Sequence, residues 1–301
     1  MASSAERFYE AGGAGVYQEN GGSGEVLLHE AMLEGYLEKV EFSRERRLSG
    51  LVKAMRWPLL AGGEGRTYGL VCIEAASDLG LDAKEALPAA GAVEFVHTIS
   101  MVHDALPAIG RLRPELEPYL EAVDQATAIL AGDGFWGEAL GLLTRAQSGS
   151  PERVLGAVRE LARSTGAEGM IGGHSIGLGG ERDGESPEAV YDLKWGTLFA
   201  AAAKMGASLA GGSQMELDAV SGYAWNVGIC HRISLELDGS VPDGDRVFTR
   251  TLGKEAAESR AREARRAALG RLDEAGLEAR GMRELLEYVS KTGRAERKEG
   301  R

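Results

Sequence analysis

Pro88-Ala89-Ala90-Gly91-Ala92-Val93-Glu94-Phe95-Val96-His97-Thr98-Ile99-Ser100-Met101-Val102-His103-Asp104 is the stretch that decides the fold class. Val93, Val96 and then Ile99 or Ser100 recur at helical spacing, and Met101 carries the pattern on to Asp104. Pro88 fits a first helical turn, where its missing N–H costs nothing. The spacing therefore predicts a helix from Pro88 to Asp104, apolar on more than one face. Neither this stretch nor any other sustains the period-two alternation of β-branched residues that a sheet requires.

Working outward, the same texture repeats. From Glu25, Leu28, Met32, Leu33, Tyr36 and Leu37 mark one helix face, and Arg46 to Leu60 carries a second helix. Tyr68 to Ser77 follows a glycine break at Gly62-Gly63. Leu106 to Pro118 reads as a loop, after which Tyr119 to Thr144 resumes helix. Ser150-Pro151 and Ser186-Pro187 each pair a capping hydroxyl with proline at the first helical position, opening helices to about Thr165 and Leu209. Between them, Gly169 to Asp183 begins helix-compatible and turns glycine-rich. Helices over Gln214–Leu237, Lys254–Ala275 and Arg280–Lys291 complete the chain. The expectation is an all-α protein with a loose arm over 1–24, one helical domain over 25–291 and a basic tail over 292–301.

The 301 residues are 44% hydrophobic, enough for a sizeable core. Lysine plus arginine number 34 against 46 aspartate plus glutamate, a formal charge of -12. That sign argues against a sequence-independent grip on nucleic acid or on an anionic membrane surface. Cys72 and Cys230 stand far apart without a CxxC pattern, which argues against a disulfide framework or structural zinc and fits a reducing compartment. No apolar run has the length of a membrane span, and Met1 to Glu10 carries charges where a signal peptide is apolar. A cytoplasmic protein is expected.

Six segments in order resemble the trans-type isoprenyl diphosphate synthases, the farnesyl and geranylgeranyl diphosphate synthase family. They are Leu28-His29-Glu30-Ala31-Met32, Ala54 to Gly63, Val93 to Asp104, Ala128 to Asp133, Gly166 to Gly173, and Lys194-Trp195-Gly196-Thr197-Leu198. The resemblance implies an antiparallel helix bundle around a central cavity, and a dimer. It also implies a reaction in which an allylic diphosphate leaves as a carbocation forms, to be attacked by isopentenyl diphosphate. The leaving group carries about three negative charges, which magnesium ions must neutralise. Magnesium takes oxygen ligands, which the family supplies from two aspartate-rich motifs.

At those motifs the chain departs from the family. Where bacterial members read Asp-Asp-Leu-Pro-Ala-Met-Asp, it reads Asp104-Ala105-Leu106-Pro107-Ala108-Ile109-Gly110. Where the second motif reads Phe-Gln-x-x-Asp-Asp-x-x-Asp, it reads His231-Arg232-Ile233-Ser234-Leu235-Glu236-Leu237-Asp238-Gly239. Asp104 and Glu236 are the remnant metal positions, and Asp238 sits about 200° further round the helix from Glu236. Gly-Gly-Lys-Arg-x-Arg-Pro has become Gly62-Gly63-Glu64-Gly65-Arg66-Thr67-Tyr68, which leaves Arg66 as the nearest cation. Lys194 is kept, a glutamine becomes His174, an aspartate Gly177, a threonine Trp195 and a later lysine Asp245. Arg111 and Arg113 follow the first motif in a shortened loop. Ile99 stands where farnesyl-length enzymes carry an aromatic plug, which implies a deeper tunnel.

The candidate catalytic groups are accordingly Asp104, Glu236 and Lys194, and the candidate substrate contacts are Arg66, Lys194, His97, Ile99, Ser100, His174 and Arg232. His103 beside Asp104 reads as a remnant metal or phosphate site, or as helix-end packing. The expected function is that of an isoprenyl diphosphate synthase-like protein impaired in metal-dependent prenyl transfer. It would act as a non-catalytic or regulatory subunit, or bind an isoprenoid diphosphate or apolar prenyl chain. Its partner would be a second copy or an active prenyl synthase, and no cofactor is called for. The alternative is an active, magnesium-dependent prenyltransferase working through Asp104, Glu236, Lys194 and Arg66. A third reading gives His97, His103 and His174 acid–base work in some other reaction, although no triad is visible along the chain.

Overall fold

The computed structural model describes residues 24–61, 63–109, 117–178, 187–241 and 246–295. Those residues form α1 (Gly24–Glu38), α2 (Ser49–Leu60), α3 (Thr67–Asp78), α4 (Ala83–Ala105), α5 (Glu117–Ala122), α6 (Gln125–Gly141), α7 (Pro151–Thr165) and α8 (Met170–Leu178). They continue as α9 (Pro187–Tyr191), α10 (Thr197–Ala210), α11 (Gln214–Asp238), α12 (Phe248–Leu252), α13 (Lys254–Glu274) and α14 (Arg280–Ala295). No strand occurs among the described residues, so the all-α expectation holds. None of their helices is long and apolar enough to cross a membrane. The arm over 1–23 and the last residues of the tail lie outside the described residues.

α10 sits in the middle, packed on α3, α7 and α11, while α4 lies between α3 and α6, and α13 and α14 close over α11. Small residues bring the central helices together. A Cβ on Gly206 of α10 would overlap the carbonyl oxygen of Cys72 in α3, so only glycine permits that approach of two backbones. Both cysteines are free and buried, and burial pushes each thiol up to about 12, as expected of inert packing residues.

One predicted boundary holds for the predicted reason: Ser150 caps α7 with Pro151 in its first turn. Ser186 lies outside the described residues. α11 starts at Gln214 as expected, and the structure adds the cause, a capping box of Ser213 with Glu216. Two predictions need correction. α4 begins at Ala83, not Pro88, because Asp82 caps it by accepting from the Lys84 N–H at 2.8 Å. Pro88 is therefore inside the helix, where its ring opens the hydrogen-bond ladder. Gln147 repairs the opening: its Oε1 accepts from the Ala89 N–H at 3.1 Å, and its Nε2 donates to the Glu85 carbonyl at 2.7 Å. Gln147→Ala should lower stability by about 1 kcal/mol in urea denaturation, since it strands the N–H of buried Ala89 and the carbonyl of exposed Glu85. The second correction is the break before Gln125, where Asp124 accepts from the Thr127 N–H and starts α6 afresh after α5. α12 was not foreseen, and α14 runs past Lys291 to Ala295.

α14 is docked through buried polar groups on distant elements. The Asp78 carboxylate at the end of α3 accepts from the Gly281 and Met282 N–H groups at 3.0 and 2.8 Å, capping α14 from outside. Tyr288 donates to Glu30 of α1, and Tyr223 of α11 donates to the Met282 carbonyl. Below them His29 Nδ1 lies 2.8 Å from the carboxylate of buried Glu74. That bond raises the His29 pKa above 6.5 against the opposing effect of burial. Burial raises that of Glu74. Both shifts have one sign: the folded state holds extra protons, so the His29 contribution is complete below pH 6.5 and the Glu74 contribution below pH 4.5, and each is lost as pH rises through the group's higher folded value. Denaturation at a series of pH values should show that decline, and His29→Gln should flatten it.

Candidate functional site

Four side chains from three elements converge where the family places its first aspartate-rich motif. Ser100 and Asp104, four residues apart, share one face of the last turns of α4. α8 supplies His174, and a π-helical turn over Asp192–Gly196, between α9 and α10, supplies Lys194. A Cβ on Gly173 would lie 2.8 Å from the Leu193–Lys194 backbone, so glycine here lets α8 press on the π turn and sets His174 beside Lys194.

The contacts run in a line. Ser100 Oγ lies 3.0 Å from His174 Nε2, and His174 Nδ1 lies 3.4 Å from Asp104 Oδ1. Lys194 Nζ stands 3.5 Å from the same Asp104 oxygen. Ser100, Asp104 and His174 are 6, 6 and 7% exposed. The His103 ring meets His174 edge-on at 5.8 Å, and burial lowers the His103 pKa despite the charges of Asp104 and Asp133. Trp195 packs between two cations: Arg232 lies over its ring at 4.0 Å and Lys194 at 4.8 Å. Trp225 Nε1 donates to Asp192 at 2.7 Å and steadies the π turn.

Glu236 lies elsewhere and does something else. It is 2% exposed, and its carboxylate accepts from the N–H groups of Val247, Phe248 and Thr249 at 2.8, 3.3 and 2.8 Å. The Thr249 hydroxyl adds a bond at 3.0 Å and Arg232 Nε one at 3.3 Å. Glu236 is thus the N-terminal cap of α12, supplied from α11 because Val247 offers no side-chain oxygen. Asp238 points away as expected, accepting from the Ser240 N–H. Next to this corner is a cavity of about 380 Å³ lined by Glu236, Leu237, Arg246, Thr249, Arg250 and Lys254.

Arg66 is also engaged. Its backbone is left-handed, with φ 50°, and its guanidinium donates to Glu34 at 2.7 Å and to the Leu59 carbonyl at 2.6 Å, with Glu94 at 3.7 Å. His97 lies in a run of rings: Tyr68 meets it at 4.6 Å and stacks on Phe199 at 4.1 Å, and Phe199 meets His231 at 6.1 Å. Ile99 is buried and faces Gly132 of α6, not this run. Arg111, Arg113 and Asp245 lie outside the described residues, as do the side-chain surroundings of Gly177.

These donors do not fit a magnesium–diphosphate centre. Asp104 already faces an ammonium and an imidazole, Glu236 is filled by backbone donors, and Arg66 is held by carboxylates. Among the described residues no three His, Cys, Asp or Glu side chains group as metal ligands. The departure from the family motifs is a reading of the sequence alone. The convergence of Ser100, Asp104, His174 and Lys194 was not legible there, apart from the i,i+4 spacing of the first two.

Comparison with known proteins agrees with the fold and the family. Geranylgeranyl pyrophosphate synthase 9, chloroplastic, of Arabidopsis thaliana is 35% identical over 191 residues, covering 60% of this chain and 53% of that one. The heterodimeric geranylgeranyl pyrophosphate synthase large subunit 1, chloroplastic, of the same plant is 34% identical over 192 residues, covering 60% and 52%. The chain thus spans about half the length of these curated relatives. An FPP/GFPP synthase structure from Zymomonas mobilis superposes with a TM-score of 0.75 at 26% identity, over 88% of this chain and 99% of that one. The polyprenyl synthetase family model matches residues 51–234, more than half of the sequence. The chain belongs to the polyprenyl synthetase family.

Proposed function

We propose that this protein does not carry out metal-dependent prenyl transfer and serves as a non-catalytic subunit beside an active prenyl synthase. The observation that carries the reading is the state of the two surviving carboxylates, Asp104 held by Lys194 and His174, Glu236 capping α12. An arriving diphosphate of about three negative charges would meet a cluster already near neutrality, without the carboxylates that position magnesium. The rings of Tyr68, His97 and Phe199 favour the subunit role over that of a prenyl-chain binder, because they fill the interior where α3, α4 and α10 meet. Pairing with another chain is in keeping with a relative that is, by its name, the large subunit of a heterodimer.

Cytoplasmic placement is part of the same proposal, although several relatives carry "chloroplastic" in their names. The alternative of a reduced active site is favoured by one observation, the retention of Lys194 next to Asp104. Co-expression with an active synthase from the same cell tests the subunit role. The two chains should co-purify, and the product length or turnover of the active chain should change. Recovery of this chain alone, with unchanged products from the synthase, would refute it.

A further inference from the structure

We propose that Ser100, His174 and Asp104 act as a nucleophile, a base and a positioning carboxylate, able to take an acyl group from an ester or thioester. The reading goes beyond the subunit role and depends on neither a partner nor a metal. Its ground is the order of atoms along the cluster. An ionised carboxylate only accepts hydrogen bonds, so Asp104 facing Nδ1 favours the tautomer with its proton there. Nε2 then keeps its lone pair, and the atom 3.0 Å from it is Ser100 Oγ. A hydroxyl on one imidazole nitrogen and a carboxylate on the other is the arrangement by which unrelated folds activate serine.

Lys194 Nζ stands 3.5 Å from Asp104 Oδ1, on the carboxylate side of the His174 ring. Burial disfavours the charged form of His103, whose ring meets that of His174 edge-on.

In the reaction, Ser100 Oγ bonds to the acyl carbon while its proton passes to His174 Nε2. The bond from that carbon to the alcohol oxygen or thiol sulfur breaks, and the leaving group takes the proton from Nε2. Water then adds to the seryl ester as Nε2 accepts its proton. The ester bond breaks, and the proton returns to Ser100 Oγ as the acid is released.

The test uses the full-length protein, a fluorophosphonate probe and a series of p-nitrophenyl esters from acetate to decanoate. The probe should label Ser100, located by peptide mass spectrometry, and the esters should be hydrolysed. Ser100→Ala should abolish labelling at an unchanged melting temperature. His174→Gln should slow it at least ~100-fold, the usual worth of a general base. Ser100→Cys should move reactivity to iodoacetamide. The charges facing His174 are Asp104 and Lys194, with the His103 ring beside them. Asp104→Asn should therefore slow labelling and lower the pH of its midpoint, which a purely structural role would not do. Absence of labelling at Ser100 in the folded protein, or equal labelling in His174→Gln, would overturn the proposal. The co-expression test above reads neither event, so each idea fails on its own.

Discussion

Glu236→Ala should lose about 4 kcal/mol of stability and change no magnesium dependence. The variant strands three backbone N–H groups, the Thr249 hydroxyl and an Arg232 contact in a site 2% exposed. Loss of a helix cap costs roughly 0.5–2 kcal/mol, and buried donors left without an acceptor add about 1–3 kcal/mol. A metal-ligand carboxylate behaves in the opposite way, because removing it relieves repulsion among like charges and leaves stability near its starting value. Urea denaturation of Glu236→Ala beside Thr249→Ala, which removes one hydroxyl of the same network, separates the roles. A stable Glu236→Ala protein would rule out the cap as the reason for this residue.

Lys194→Met carries the second large effect. It leaves the Asp104 carboxylate, 6% exposed, facing the His174 ring at 3.4 Å, and breaking a buried pair costs about 3–5 kcal/mol. We place the loss near 3 kcal/mol, because His174 can take up a proton and answer the charge. The double variant Asp104→Leu with Lys194→Met should lose clearly less than the sum of the two single changes, since it removes both charges together. Additive losses would mean that the two groups do not hold one another in the folded protein.

How far the sequence reaches differs between fold and site. Helices were legible wherever the cause is local. Pro151 after Ser150, and Ser213 with Glu216, state their caps within four residues. Pro88 misleads because the group that makes an interior proline tolerable, Gln147, lies 58 residues from Ala89. α12 escapes notice because its cap comes from Glu236 on another helix. The same distance effect governs the site. The missing carboxylates around Asp104 could be read from the motif itself, but Ser100 and His174 are 74 residues apart and meet only because Gly173 lets α8 approach the π turn. Arg66 could be named as a cation but not placed. Its partners Glu34 and Glu94 come from helices on either side of it in the chain.

The central claim is that the surviving carboxylates no longer organise magnesium and a diphosphate. Its most direct test is isothermal titration of the purified chain with geranylgeranyl diphosphate, with and without magnesium, run beside incorporation of radiolabelled isopentenyl diphosphate. The account predicts no incorporation and no effect of magnesium on binding. Magnesium-dependent binding together with incorporation that Asp104→Ala abolishes would contradict it.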